Sequence, residues 1–406
     1  MLSFDEAQAR LLDAARKVKG VDRVPLADGL GRVLAESIRS SLDVPPLDNS
    51  GMDGYAVRCA DVPVAGTALR MAQRIPAGSV GHALEPGTAA RIFTGAPVPA
   101  GADAIVMQEL CAVDGDRLTV NHLPQPGEWI RRRGEDIAAG AEVLAAGSRL
   151  SAASLGVAAS VGAAQLSVFR RVRVALFSTG DELAMPGEAL RPGGIYNSNR
   201  YTLHALLAGL GCEVADFGIV PDDRDATRVA LRQAAAGNDL ILTSGGVSVG
   251  EEDHVKPAVE AEGELALWKI AIKPGKPLAF GAVGPGVGAG ATARPAAAFI
   301  GLPGNPVSSF VTFVMLVRPF ILKAQGAALV TPRAQRLRAD FSCPGDPRRE
   351  FLRARINAGG GLELFPNQSS GVLTSCLWAD GLIDNPPGQA IAPGDEVRFL
   401  AFSELL

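Results

Sequence analysis

The chain has 406 residues, of which 47% are hydrophobic and 20% are charged. This composition is typical of a globular protein rather than a disordered one, and the length predicts about two to four domains. The formal net charge of −4 disfavours proteins that bind nucleic acid or an anionic membrane surface by general electrostatic attraction.

The N-terminal residues 3–18 are predicted to form an amphipathic helix. Ser3 can cap this helix, and Glu6 at the third helical position completes a capping box. Its apolar stripe consists of Ala7, Leu11, Leu12 and Ala15. The N-terminus carries Asp5 and Glu6 and lacks the basic-then-apolar layout of a signal peptide, so we expect a cytoplasmic protein.

Residues 41–139 contain frequent Pro and Gly and several short candidate strands, which predict a mainly β domain. The strands are expected in "GYAVR", "AARIF", "AIVMQE" and "RLTVNHL". The densest basic run of the chain, Arg131–Arg133, is predicted to be a turn that is either solvated or salt-bridged within the protein. Residues 140–165 are Ala-rich, and their helix "AASLGVAASVG" is expected to pack against the N-terminal helix, which groups residues 1–40 with 140–169.

Residues 170–329 alternate between apolar strands and helices, beginning with the strand "VRVALF". This alternation predicts an α/β domain with a largely parallel sheet covered on both faces. Its most apolar helix starts near Val307 and is expected to end at Arg318-Pro319, too short to span a bilayer. The Gly/Ala-rich residues 281–298 are interpreted as a peripheral loop, and residues 330–406 as a small all-β domain.

The five cysteines lie far apart without a Cys-x-x-Cys pair. Such spacing indicates neither a zinc motif nor a disulfide framework. A reducing compartment is therefore expected. The cysteines are Cys59, Cys111, Cys212, Cys343 and Cys376.

Five polar, glycine-rich turns follow the strands of the α/β domain. They are "STGDEL", "VPDDR", "TSGGVSVGEEDH", "KPGKP" and "GLPGNPVSS". The ligand crevice of an open parallel sheet lies beyond the carboxyl ends of its strands. We therefore expect the five turns to converge on one pocket.

These turns carry groups of both signs. Backbone N–H groups of Ser244, Gly245 and Gly246 can bind a phosphate before a helix start. Lys269, Lys273 and Lys276 supply positive charge; the last two lie in "IKPGKP", residues 272–277, which we call the lysine turn. A lysine beside apolar strands loses hydration and needs a counter-charge, so this turn is predicted to hold an anion.

Carboxylates near a phosphate and lysines suggest a bridging divalent cation, Mg²⁺. The alternative for each acid is a surface turn or a helix cap. We favour that alternative for Asp223 and Glu252, and leave both interpretations open for Glu182, Asp222 and Asp253. Because no G-x-x-x-x-G-K-[ST] motif occurs, a P-loop enzyme is excluded.

Long motifs along nearly the whole chain resemble the molybdopterin molybdenumtransferase (MoeA) family, whose relatives include the gephyrin E domain. They are "NSGMDGYAVR", "RIFTGAPVPAGADAIVMQE", "RRRGEDI", "STGDEL", "TSGGVSVGEEDH", "WKIAIKPGKP" and "GLPGNPVSSF". The resemblance implies a transferase that inserts molybdate into adenylylated molybdopterin and releases AMP. It also implies an elongated homodimer with an elongated N-terminal domain (1–40 and 140–169), a β domain (41–139), an α/β domain of molybdopterin-binding fold (170–329) and a C-terminal β-barrel (330–406).

By the same resemblance, residues around the lysine turn bind molybdate. They are Lys273, Lys276, Arg353, Ser308 and Ser370. The phosphates and pterin of the substrate would contact Ser244, Gly245, Gly246, Lys269, Pro303, Gly304 and Asn305. Asp253 and Asp222 would hold Mg²⁺, and Glu182 would orient pterin or water. Asp53, Thr94 and Asp136 would complete the site from the partner subunit; their alternative role is turn capping.

Two other functions remain open at this point. One is the adenylyltransferase that acts one step earlier, whose single-domain fold residues 172–325 resemble. The other is a non-enzymatic carrier or scaffold. Expected partners are small-molecule substrates, a second copy of the chain, the adenylyltransferase and recipient molybdoenzymes, with neither nucleic acid nor a membrane.

Overall fold

The computed structural model describes residues 1–246, 254–284 and 296–406. Its first element is the helix Phe4–Ala14, which has the predicted capping box: the Ser3 hydroxyl accepts from the Glu6 amide at 3.2 Å, and the Glu6 carboxylate accepts from the Ser3 amide at 2.8 Å. The buried face of this helix packs in the core of the α/β domain.

Two short antiparallel strand pairs form the segment that follows the N-terminal helix. Val21–Pro25 pairs antiparallel with Gln165–Phe169, and Ile38–Arg39 pairs with Glu142–Leu144. The helix Ala152–Ser160 covers these strands through a small core that contains Ala158 and Leu166. The predicted packing of this helix against the N-terminal helix is therefore wrong, because the two belong to different cores.

The middle domain is built on a six-stranded sheet. In spatial order its strands are Ala104–Met107, Gly54–Val57, Thr88–Ile92, Thr67–Ile75, Arg117–Val120 and Cys111–Asp114. A short pair, Asn49–Ser50 with Ile130–Arg131, flanks it. The mainly β prediction is confirmed, but its longest strand, Thr67–Ile75, was not predicted. Its sequence "TALRMAQRI" is rich in Ala, Leu, Met, Gln and Arg, which favour helices in isolation.

The α/β domain has a mixed six-stranded sheet. In spatial order its strands are Glu213–Val220, Arg173–Thr179, Leu240–Ser244, Ala297–Leu302, Pro277–Val283 and Gly263–Lys269. The first four are parallel, as predicted. Pro277–Val283 runs antiparallel to Ala297–Leu302, and Gly263–Lys269 runs antiparallel to Pro277–Val283. The carboxyl ends of the four parallel strands therefore share one edge. A short parallel pair, Leu183–Ala184 with Ile195–Tyr196, lies beside that edge.

Helices cover both faces of this sheet, as predicted. Ser198–Gly209 and Pro306–Ala324 pack on one face together with the N-terminal helix. Arg224–Ala235 and Val255–Glu262 pack on the other.

The prediction that the apolar helix ends at Arg318-Pro319 is wrong. The helix runs from Pro306 to Ala324, with a π-helical turn at Phe313–Val317. Pro319 has no N–H, so in an α-helix the carbonyl of Met315 would lose its partner. The side chain of Gln8 donates to that carbonyl at 3.0 Å. By length and hydropathy the helix passes as a candidate membrane span, but 94% of its apolar window is buried inside the protein, as in the core helix of a folded domain.

The C-terminal domain is a β sheet with the spatial order Ile272–Lys273, Arg349–Ile356, Gly381–Asn385, Glu396–Ala401 and Gln335–Arg338. Leu362–Leu364 also pairs with Arg349–Ile356, and a bridge between Ala339 and Leu362 closes the sheet on itself. Short helices lie at Thr374–Trp378 and Phe402–Leu405. Because Ile272–Lys273 pairs in parallel with Arg349–Glu350, the lysine turn joins the α/β and C-terminal domains.

Candidate functional site

A cleft of about 990 Å³ lies between the carboxyl edge of the α/β sheet and the C-terminal domain. The described parts of all five predicted turns line it, together with residues of the C-terminal domain. The lining includes Thr179, Gly180, Glu182, Asp222, Ser244, Gly245, Gly246, Lys273, Lys276, Pro303, Gly304, Asn305, Ser308, Arg348, Gln368, Ser369 and Ser370. The predicted convergence is therefore confirmed for the residues that the structure describes.

Residues 244–246, the glycine turn, form one wall of the cleft. Gly245 has a φ of +91°, and a Cβ there would lie 2.7 Å from the carbonyl oxygen of Thr179. This position therefore requires glycine, whose backbone can approach a ligand closely. The side-chain amide of Asn199 donates to the Ser244 hydroxyl at 2.7 Å and to the Gly304 carbonyl at 2.8 Å. These two bonds fix the two turns relative to each other. Asn199 was missed because a polar residue in the first turn of a helix usually faces solvent.

Lys273 of the lysine turn forms ion pairs with two carboxylates of the same chain. The Nζ atom of Lys273 lies 2.9 Å from Glu350 Oε1 and 3.1 Å from Asp346 Oδ2. Glu350 is only 2% exposed. The hydrogen bond of Lys273 with Glu350 raises the pKa of Lys273, and the hydrogen bond with Asp346 raises it by a smaller amount. Two carboxylates of the C-terminal domain therefore lie against Lys273, and the binding of an external anion at this turn stays a prediction. Lys276 is exposed and makes no ion pair with any described residue.

Gly275 allows the lysine turn to pack tightly on the helix Pro306–Ala324. Its φ is +112°, and a Cβ would lie 2.5 Å from the Thr312 hydroxyl oxygen. The two lysines are therefore held against the first turns of that helix, whose N-terminal end carries partial positive charge.

Arg353, which the resemblance placed among the anion ligands, does not line the cleft. It is 1% exposed and donates to the Ser375 hydroxyl and the Phe351 carbonyl at 3.2 Å, and to the Ser369 carbonyl at 3.4 Å. Burial lowers its pKa to about 10. Arg353 therefore supports the residues 366–371, which we call the serine loop, from behind.

Arg348 is the one arginine among the described residues that lines the cleft. Its Nε and Nη2 atoms donate to the two carboxylate oxygens of Asp346 at 3.0 and 3.1 Å. The sequence "RREFLRAR" offers several arginines, and only the register of this strand decides which of them faces the cleft.

Ser308 and Ser370, both predicted ligands, do line the cleft. The amide of Val307 donates to the Ser370 carbonyl at 3.0 Å, which ties the serine loop to the start of the helix. The Gln368 side chain clamps the loop further by accepting from the Arg353 amide and donating to its carbonyl, both at 2.9 Å.

The acids differ in position. Glu182 and Asp222 line the cleft, and the Asp222 amide donates to an Asp181 carboxylate oxygen at 3.3 Å. Asp223 caps the helix Arg224–Ala235 by accepting from the Ala226 amide at 2.8 Å, so its capping interpretation is confirmed. Glu252 and Asp253 lie outside the described residues, as do residues 285–295 of the Gly/Ala-rich segment. Among the described residues, no group of three or more His, Cys, Asp and Glu side chains could hold a metal ion.

Asp53, Thr94 and Asp136 belong to the middle domain and do not line this cleft within one chain. Asp53 Oδ1 accepts from the amide and the hydroxyl of Thr94, both at 2.7 Å. The hydrogen bond from the Thr94 backbone amide has the larger effect and the one from its hydroxyl the smaller, and together they keep the pKa of Asp53 below its usual value. Asp136 is exposed, and its amide donates to the Val44 carbonyl at 3.0 Å.

Two further predictions concern basic residues. Lys269 is exposed at the end of the edge strand, paired with Pro277, and does not line the cleft. In the run Arg131–Arg133, Arg132 pairs with Asp48 at 2.8 Å and Arg133 with Asp43. The salt-bridged alternative is therefore confirmed for the last two residues of this run.

Three family models match the chain in order. Residues 2–162 match the MoeA N-terminal region (domain I and II), residues 175–323 a probable molybdopterin binding domain, and residues 336–402 the MoeA C-terminal region (domain IV).

Similar proteins cover most of the chain. A protein of Haemophilus influenzae named molybdopterin molybdenumtransferase is 43% identical over 80% of this chain and 78% of its own. Molybdopterin molybdenumtransferase 2 of Mycobacterium tuberculosis is 38% identical over 95% and 96%. A solved molybdopterin biosynthesis MoeA protein of Pyrococcus horikoshii is 28% identical, with a TM-score of 0.83 over 99% of this chain and 100% of its own. With this identity sustained along the chain and the three regions in the family's order, the chain belongs to the MoeA family.

Proposed function

We propose that this chain is a molybdopterin molybdenumtransferase, which inserts molybdate into adenylylated molybdopterin and releases AMP. The observation that carries the proposal is the composition of one cleft. It combines a cationic end at Lys273, Lys276 and Arg348 with the glycine turn and the carboxylates of Glu182 and Asp222. An oxyanion and a phosphorylated organic substrate can therefore bind side by side, as a transfer between them requires.

Molybdate, a tetrahedral dianion, binds at the cationic end. Lys276, Lys273 and Arg348 donate from two domains, and the hydroxyls of Ser308 and Ser370 complete a ring of donors. Each charge-assisted hydrogen bond contributes about 1.5–3 kcal/mol. The positive end of the helix Pro306–Ala324 adds a further favourable field. In this proposal Arg348 takes the ligand role first expected for Arg353.

The phosphates of the organic substrate bind at the glycine turn. The backbone of Gly245 and Gly246 is free of side chains and follows a parallel strand, the usual place for a phosphate. Gly304 in the neighbouring turn is held beside them through Asn199. Pro303 and Asn305 flank this end of the cleft and contact the pterin.

The donor set fits Mg²⁺ bound jointly by protein and substrate. Mg²⁺ typically takes one or two carboxylates together with substrate phosphates rather than a complete protein cage. Asp222 lines the cleft on the phosphate side and would hold the ion, with Asp253 as the second carboxylate of the proposal. When bound, the ion neutralises charge on the phosphoanhydride. Glu182 orients the pterin or a water molecule.

The proposal includes a cytoplasmic homodimer. Asp53 and Thr94 form a hydrogen-bonded pair on the exposed surface of the middle domain, away from the cleft of their own chain. We propose that they and Asp136 complete the cleft of the second subunit. The adenylyltransferase of the pathway would deliver the substrate, and molybdoenzymes would receive the product.

The test is AMP release by the purified chain. We expect adenylylated molybdopterin to yield AMP only when molybdate is added. Consumption of ATP in place of AMP release would indicate an adenylyltransferase, and substrate binding without molybdate-dependent turnover would indicate a carrier.

A further inference from the structure

An acidic pair lies directly behind the cationic end of the cleft. Asp346 and Glu350 both contact Lys273, and Asp346 also contacts Arg348. Neither carboxylate lines the cleft, whereas both of their basic partners do. The two positive charges of Lys273 and Arg348 are therefore balanced by two negative charges.

Most donors of Lys273 are already used. An ammonium group has three N–H donors, and two of them face Glu350 at 2.9 Å and Asp346 at 3.1 Å. One donor remains for a ligand in the cleft. Arg348 has five donors, and Asp346 occupies Nε and one N–H of Nη2. The binding capacity left to the cleft is thus smaller than the residue types suggest.

Glu350 and Asp346 differ in their burial, with side chains that are 2% and 15% exposed. Glu350 is buried and also lies within 3.5 Å of the Asn385 amide, so it is a fixed partner. Asp346 lies in the segment before the strand Arg349–Ile356, and its contacts to Arg348 and Lys273 keep its pKa well below the usual range. Asp346 is therefore ionised at neutral pH and repels any anion that approaches its two partners.

We propose that Asp346 sets the affinity of the oxyanion subsite, by holding Lys273 and Arg348 in place while competing with the bound anion for their charge and donors. This inference rests on the proposed function of the cleft. An oxygen hydrogen-bonded to Lys273 at about 2.8 Å lies within about 6 Å of the Asp346 oxygen, because that oxygen is 3.1 Å from the same nitrogen. At this separation a dianion and the Asp346 carboxylate repel each other, and we expect this repulsion to exceed the gain in affinity from ordering two side chains. In this proposal the Asp346 carboxylate lowers the affinity of the subsite for an oxyanion.

The test is calorimetric titration of sodium molybdate, and separately sodium sulfate, into the full chain and Asp346→Asn. Asparagine keeps the shape and one acceptor but removes the charge. We expect D346N to bind each dianion roughly tenfold more tightly, and Lys273→Gln to bind molybdate more weakly. The matched control is Glu363→Gln, which breaks a pair with Arg355 in the same domain away from the cleft and should leave both affinities unchanged.

Weaker or unchanged dianion binding by D346N would overturn the inference, since it would mean that Asp346 only positions its partners. If D346N has a lowered melting temperature, the same titrations are made with Asp346→Ser, which also lacks the charge and whose hydroxyl can still accept from Arg348. AMP release by the unaltered chain separates the two proposals. If the unaltered chain releases AMP but neither variant binds the dianions more tightly, only the inference about Asp346 is refuted. If the variants bind sulfate more tightly but the unaltered chain does not release AMP, only the transferase proposal is refuted.

Discussion

Replacing Lys273 with Gln should lower stability as well as anion binding, because Lys273 pairs with the buried carboxylate of Glu350. Glu350 is 2% exposed. In the variant its carboxylate would have two side-chain partners among the described residues: the Asn385 amide at 3.5 Å and the new glutamine, if that side chain donates to it. Removing one partner of a buried pair costs about 3–5 kcal/mol. Since the Lys273 side chain is 42% exposed and water can enter, we reduce this to roughly 1–2 kcal/mol.

The measurement is urea unfolding of the unaltered chain and the variant at neutral pH, followed by tryptophan fluorescence. The matched control is Lys276→Gln in the same turn, which loses a charge that has no ion-pair partner among the described residues. We expect both variants to need roughly ten- to hundredfold more molybdate for turnover. Only Lys273→Gln should lower the urea midpoint.

The stability that Lys273 contributes should fall as the pH rises into the alkaline range. The pKa of Lys273 is raised above its ordinary value of 10.5, by Glu350 first. Its stabilising contribution is therefore fully present below that value and is lost as the pH rises through the higher folded-state pKa. The stability gap between the unaltered chain and Lys273→Gln should be constant at neutral pH and close in strong alkali. Equal urea midpoints for the two lysine variants would refute the reasoning.

Replacing Gln8 with Ala should lower the unfolding free energy by about 1–3 kcal/mol, because the Met315 carbonyl loses its donor from the N-terminal helix; an unchanged melting temperature would show that water replaces Gln8. Gly275→Ala should melt earlier than the unaltered chain, because its Cβ would clash with Thr312 at a positive φ, and the addition of Thr312→Ala should restore only the steric part. Light scattering should give twice the chain mass, whereas a monomer at micromolar concentration would contradict the shared site.

Local patterns were enough to predict much of the fold. The capping box of Ser3 and Glu6 and the Asp223 cap depend on residues three positions apart, so they form wherever the helix forms. The apolar strands of the α/β domain are also local signals. The convergence of their turns follows from a general rule for parallel sheets rather than from particular contacts.

Other features depended on partners that are distant in sequence. The helix continues past Pro319 because Gln8 reaches Met315 from a different helix. The strand Thr67–Ile75 forms between two neighbours despite its helical propensity, since pairing and burial outweigh intrinsic preference.

The cationic end of the cleft was decided by tertiary structure. The motifs identified Lys273 and Lys276, but the pairing of Lys273 with Glu350 comes from the register between two domains. The same register brings Arg348 to the cleft and buries Arg353 behind the serine loop. A sequence specifies which charges are available, whereas their separation determines their interaction energy, and only the folded chain fixes that separation.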